Sequence, residues 1–126
     1  MIFGIGTDIV EIQRMSDMQS QDTFAKKILG LDELKSLNDL QVNKKANYLA
    51  KQFAGKEAFV KALGTGFKDP VFPQDIQIIR NASGKPEFKI SNSVKSHLKG
   101  LGITGWHVSL ADERNHVVAF AVLEHE

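Results

Sequence analysis

"GWHVSLADERNHVVAFAVLE", residues 105–124, is the stretch on which the fold turns. Trp106, Val108 and Leu110 alternate with His107, Ser109 and Ala111. A period of two belongs to a strand whose two faces meet different surroundings. The polar run "ERNH" (113–116) reverses the chain, and Val117 to Leu123 runs back, so the stretch reads as an antiparallel hairpin.

Upstream of it, Asn92 to Lys99 reads as a short helix ended by Gly100 and Gly102. "NASGKPEFKI" (81–90) is a turn, with Gly84 at its tight position, entering a strand that begins near Pro86. "IQIIR" (76–80) is a further strand, and Pro70 and Pro73 break the chain before it. The longest helix runs from about Asn43 to Leu63, with Leu49, Phe53, Val60 and Leu63 on one stripe and Gly64 as its stop. Two shorter helices precede it. Ser20 or Asp22 caps one that runs to about Leu29, and Asp32 caps the other.

The first segment, Ile2 to Ile12, is a strand. Ile5, Thr7, Ile9 and Glu11 share one face, and Gly4, Gly6, Asp8, Val10 and Ile12 share the other. Both faces are apolar around the middle, which predicts a central strand covered on both sides. The order of elements predicts an α+β fold: a mostly antiparallel sheet packed on one long helix and several short ones. The 126 residues are expected to form one domain, 1–126.

Composition narrows the chemistry. Cysteine is absent, which excludes disulfides, thiolate metal sites and a cysteine nucleophile. A net charge of +1 does not mark a nucleic-acid binder. Arg14, Lys26, Lys27, Lys35, Lys44, Lys45, Lys51 and Lys56 fall in the first half, interleaved with Asp17, Asp22, Asp32, Glu33 and Asp39. Two readings stay open there: a mixed solvated surface, or a modest basic face for an acidic partner. No stretch approaches the roughly 20 apolar residues of a membrane helix. "MIFGIGTDIVEI" lacks a basic leader and a cleavage site, so a cytoplasmic protein is expected, with no membrane or nucleic-acid partner.

Two features remain unexplained by the fold. Asp8 lies inside a strand expected to be buried, where aspartate is disfavoured and an unpaired carboxylate is costly. It needs backbone donors, a cation or a metal. In "FAGKEAFVKALGTG" (53–66), Glu57 and Lys61 stand one helical turn apart on the flank of the apolar stripe. That spacing suits a helix-surface ion pair. It also suits a site, if the helix packs on the first strand and brings Asp8 and Glu57 together. Two hard carboxylates with open positions suit Mg²⁺, and Lys61 beside them suits a phosphate oxygen.

In order and spacing, "GIGTDIVEI", "FAGKEAFVKALGTG", "GKP" and "HVSLADE" resemble the phosphopantetheinyl transferases, in their small bacterial branch, the holo-[acyl-carrier-protein] synthases. The resemblance spans nearly the whole chain and implies an α+β enzyme. Such an enzyme moves the phosphopantetheine arm of coenzyme A onto a serine of apo acyl carrier protein and releases adenosine 3',5'-bisphosphate. It implies Mg²⁺ held by Asp8 and Glu57, with Lys61 near the phosphates, and homotrimers with sites between subunits. Glu57 is then the candidate base, acting directly or, as is favoured here, through water, since tight ligation competes with direct proton transfer. Lys61 is the candidate for stabilising the equatorial phosphate oxygens.

The same resemblance makes Gly64, Thr65 and Gly66 coenzyme A contacts and adds Lys85, Pro86, His107 and Ser109 as candidates. An acidic carrier protein would dock on Arg14, Met18, Lys26 and Lys27. Many relatives carry arginine where Gln52 stands, which puts a guanidinium–phosphate or ion-pair contact from that position in doubt. Two rival functions share these residues: an Mg²⁺-dependent nucleotide phosphohydrolase, and a non-enzymatic binding module for coenzyme A or a carrier protein.

Overall fold

The computed structural model describes residues 1–126. Strand β1 (Ile2–Glu11) leads directly into a short helix α1 (Ile12–Ser16), followed by α2 (Gln21–Ile28), α3 (Leu31–Asn38) and the long α4 (Val42–Leu63). A 3₁₀ turn (Pro73–Asp75), β2 (Ile76–Arg80), β3 (Pro86–Ile90), α5 (Asn92–Gly100), β4 (Ile103–Asp112) and β5 (His116–His125) complete the chain. One antiparallel sheet has the order β1-β5-β4, and β2 and β3 pair as a separate antiparallel ribbon. This is the α+β architecture expected, with β4 and β5 forming the hairpin read from residues 105–124.

Local chemistry accounts for several helix ends. The Ser20 hydroxyl accepts the Thr23 amide and caps α2, and Ser91 does the same for Val94 in α5. Gly64 closes α4 with φ at 87° and its N–H on the Val60 carbonyl, a left-handed stop that glycine adopts without strain. The start of α3 is different. Gly30, not Asp32, is its N-cap, and the Glu33 side chain reaches back to the Gly30 amide.

The placement of β1 corrects the expectation of a central strand. It is an edge strand, paired only with β5. Gly4, Gly6, Asp8 and Val10 face α4, whereas Ile5 and Ile9 on the other face are 58% and 63% exposed. The outer face is apolar without being covered within the chain. Thr7, Phe120 and Ser109 lie in register across it, as do Ile9, Val118 and Ala111.

The helix α4 meets the sheet through small residues. A Cβ added at Gly4 would lie 2.0 Å from the Ala62 carbonyl oxygen, and one at Gly6 would lie 2.0 Å from that of Ala58. Strand and helix backbones therefore touch. Ala54, Ala58 and Ala62 on the helix and Ala119 and Ala121 on β5 are all buried. Larger side chains fill the space around this seam: Leu49, Phe59 and Val60 are buried, and Phe53 packs edge-on against Phe24. Burial extends around most of the circumference of α4.

Candidate functional site

The seam sets Asp8 against the C-terminal half of α4. The Asp8 side chain is only 15% exposed, and Lys61 Nζ donates to its Oδ1 at 2.9 Å and to the Thr7 carbonyl at 3.1 Å. Lys61 thus pairs across to the strand, and no Glu57–Lys61 ion pair forms along the helix. Glu57, one turn before Lys61, is half-buried. Burial raises its carboxyl above the ordinary value, the negative charge of Asp8 raises it further, and Lys61 acts in the opposite direction. Two carboxylates and one ammonium therefore share one spot between β1 and α4.

The spot continues along the helix end. Gly64 and Gly66 have φ of 87° and 71°, with nothing within 4 Å of where a side chain would begin. Thr65 between them is exposed, its hydroxyl on the Gly66 carbonyl. Lys61 and the Gly64–Gly66 turn are thus neighbours by construction.

Lys85, Pro86 and His107 come together elsewhere. They line, with Phe88, Trp106 and Val108, a small cavity of about 130 Å³. The His107 ring bonds Glu124 Oε1 through Nε2. Ser109 is exposed, on the same face of β4 as His107. By register, His107 and Ser109 share the outer face with Ile5, Thr7, Val122 and Phe120, while Asp8 lies on the inner face with Ala119 and Leu110. One copy of the chain does not bring His107 and Ser109 to the two carboxylates.

Of the proposed docking residues, Arg14 on α1 and Lys26 and Lys27 in the last turn of α2 are exposed. Lys26 lies 3.7 Å from Asp22, an exposed pair of small worth. Met18 is half-buried and packs against the core, so only part of it is free for a partner.

A buried polar cluster escaped the sequence reading. Glu33, Gln52 and Lys56 are 1%, 4% and 0% exposed. Glu33 accepts from Lys56 Nζ at 2.7 Å, from Gln52 Nε2 at 2.5 Å, and from the Gly30 and Ile78 amides. Lys56 also donates to the Pro73 and Ile76 carbonyls. Burial lowers the Lys56 pKa, and Glu33 opposes that shift. Gln52 thus points into the interior, where it bonds Glu33 and the Ile78 carbonyl, in line with the doubt over a charged phosphate contact from that position. The available signal was a lysine beside Gly55 in an apolar helix, together with a glutamate at the third position of α3.

Comparison with known proteins identifies the family to which this fold belongs. Residues 4–121 match the model of the 4'-phosphopantetheinyl transferase superfamily. A holo-[acyl-carrier-protein] synthase of Neisseria meningitidis serogroup A is 44% identical over 126 residues, covering 98% of this chain and 99% of the relative. A crystal structure of the Neisseria meningitidis enzyme superposes with a TM-score of 0.92 at 42% identity, over 98% of this chain and 99% of that one. The Bacillus anthracis synthase, solved in complex with CoA (3',5'-ADP), superposes with a TM-score of 0.84 at 32% identity, over 100% of this chain and 99% of that one. The chain belongs to the 4'-phosphopantetheinyl transferase superfamily and stands within it among the holo-[acyl-carrier-protein] synthases.

Proposed function

We propose that this chain, as one domain spanning residues 1–126, transfers the 4'-phosphopantetheine arm of coenzyme A to a serine hydroxyl of apo acyl carrier protein, with Mg²⁺. The observation that carries the reading is the meeting of Asp8, Glu57 and Lys61 between β1 and α4. The donor set fits the ion. Two carboxylates without a third acidic or histidine ligand leave positions for water and phosphate oxygens, the pattern that Mg²⁺ accepts. Burial, and then repulsion from Asp8, raise the Glu57 pKa, and the repulsion is what a divalent cation would relieve. Bound Mg²⁺ supplies charge neutralisation to the pyrophosphate and to its leaving phosphate.

The residues divide the rest of the work. The serine oxygen attacks the β-phosphorus, the bond from that phosphorus to the bridging oxygen breaks, and adenosine 3',5'-bisphosphate leaves with the electron pair. Glu57 takes the serine proton, directly or, as is favoured, through water. Lys61 leaves Asp8 for the phosphoryl oxygens, where an oriented ammonium stabilises the charge that develops. The Gly64–Gly66 turn offers amides, and Thr65 a hydroxyl, to the phosphates. Lys85, Pro86, His107 and Ser109 receive the nucleotide.

The exposed apolar sheet face supports assembly. Ile5, Ile9, Val118 and Phe120 would be covered in a homotrimer, and His107 of one copy would reach the carboxylates of another. No helix is long and apolar enough to cross a membrane, in keeping with a cytoplasmic enzyme.

Purified chain, Mg²⁺, coenzyme A and apo carrier protein are mixed, and the carrier is weighed by mass spectrometry. Addition of one phosphopantetheine arm is expected. Release of phosphate or nucleotide with an unmodified carrier would identify a phosphohydrolase, and binding without any product would identify a binding module. Light scattering is expected to give the mass of three chains, and Phe120→Asp to give that of one.

A further inference from the structure

The Glu33–Gln52–Lys56 cluster takes no part in the chemistry proposed above, yet it is the most completely bonded polar group in the interior. Seven hydrogen bonds join its three side chains to one another and to the backbone of α3, the 3₁₀ turn and β2. A buried ion pair is seldom a net source of stability, since apolar residues of similar volume often do as well. Its geometry suggests a different use.

Lys56 precedes Ala58 by two residues, which is about 200° around a helix. Ala58 meets the backbone of β1 at Gly6, whereas Lys56 meets Glu33, Pro73 and Ile76. The helix is therefore gripped on nearly opposite sides at the same level. Glu57 lies between the two grips. The seam with β1 controls distance but consists of small, featureless contacts. The cluster consists of directional bonds, which fix rotation and axial position.

We infer that Lys56, Gln52 and Glu33 are positioning residues that set the rotation of α4 and so hold Glu57 against Asp8 in the geometry a divalent cation requires. The inference rests on the transfer function proposed above. Misplacement of a catalytic group by about 1 Å can cost on the order of a hundredfold in rate, so a loosened cluster need not unfold the protein to disable it.

The test uses Glu33→Gln/Lys56→Met, which removes both charges together and avoids stranding one of them. Mn²⁺ binding is followed by electron paramagnetic resonance, folding by circular dichroism, and kcat and KM by the transfer assay. A folded variant is expected to bind Mn²⁺ roughly ten- to a hundredfold more weakly and to lose kcat in proportion, with KM for the carrier protein unmoved. Gln52→Met removes only two of the seven bonds and serves if the double variant does not fold. Its kcat per folded molecule is expected to fall while its KM for the carrier protein stays the same. Wild-type Mn²⁺ affinity and kcat in whichever variant folds would overturn the inference and leave the transfer function standing. Absence of transfer by the wild type would overturn the function itself, and the inference with it.

Discussion

Lys61 Nζ lies 2.9 Å from Asp8 Oδ1, which ties the last turn of α4 to the middle of β1 across 53 positions of sequence. The pair is half in solvent on the lysine side, at 53% exposed against 15% for the aspartate. A pair so exposed is worth about 0–1 kcal/mol in stability, which leaves the lysine free to trade its partner for a phosphate. Lys61→Met is expected to lower kcat by about 10²–10³-fold and to lower the melting temperature only modestly, through the loss of the cation beside Asp8 and Glu57. A large loss of melting temperature with kcat preserved per folded molecule would make Lys61 structural.

Glu57 binds a proton more tightly in the folded chain than in the unfolded one, because burial, and then Asp8, raise its pKa above the ordinary 4.5. Between those two values the folded state holds more protons, so stability declines as pH rises through that window and stays lower above it. Glu57→Gln removes the decline. In a chelator at neutral pH it is expected to melt no lower than the wild type, and higher if the carboxylate is as poorly accommodated as its shift indicates. Added Mg²⁺ should raise the wild-type melting temperature, by preferential binding to the folded state, and should not raise that of Glu57→Gln. Turnover by the variant should fall by about 10²-fold or more, with coenzyme A binding partly retained. Titration calorimetry and the transfer assay separate the two effects, and near-normal turnover would remove Glu57 from the mechanism.

Gly6 has no room for a side chain, since its Cβ would lie 2.0 Å from the Ala58 carbonyl oxygen and 2.6 Å from the Ala62 amide nitrogen. Both obstacles are backbone and cannot swing away. Gly6→Ala should cost about 1–3 kcal/mol by overpacking and should lower activity further than that loss explains, because β1 carries Asp8 away from α4. Chemical denaturation and kcat on the same sample check this.

Arg14, Lys26 and Lys27 are exposed on α1 and α2. If an acidic carrier protein docks there, its KM rises with salt while that of coenzyme A responds much less. Arg14→Glu should raise the carrier KM and flatten its salt dependence. An equal salt response for both substrates would locate docking elsewhere.

The periodicity-two alternation of Trp106 to Ala111, the helix stop at Gly64 and the turn at Gly84 were enough to read the elements and the antiparallel layout, because these signals are local. The edge position of β1 was not legible. An apolar outer face looks the same in sequence whether another layer of the same chain covers it or nothing in that chain does. The seam was also hidden, since Gly4, Gly6, Ala58 and Ala62 carry little hydrophobic signal and matter only for the closeness they permit. Asp8, Glu57 and Lys61 stood out as charges in apolar company. Lys56 stood in the same company and proved to be interior, because its partner Glu33 lies 23 positions away in another helix. Nothing in the spacing distinguishes a lysine aimed at a substrate from one aimed at a buried glutamate.

The contact of Gly4 and Gly6 with the carbonyls of Ala62 and Ala58 has a thermal consequence. Main chain rests on main chain there, with no torsion that warming could soften between the two elements. With the buried cluster fixing the rotation of the helix as well, the gap between the acids in the unaltered chain widens when helix and strand separate as whole bodies, which is the melting event itself. Catalytic competence should therefore persist on heating and then vanish over the narrow range in which the protein melts.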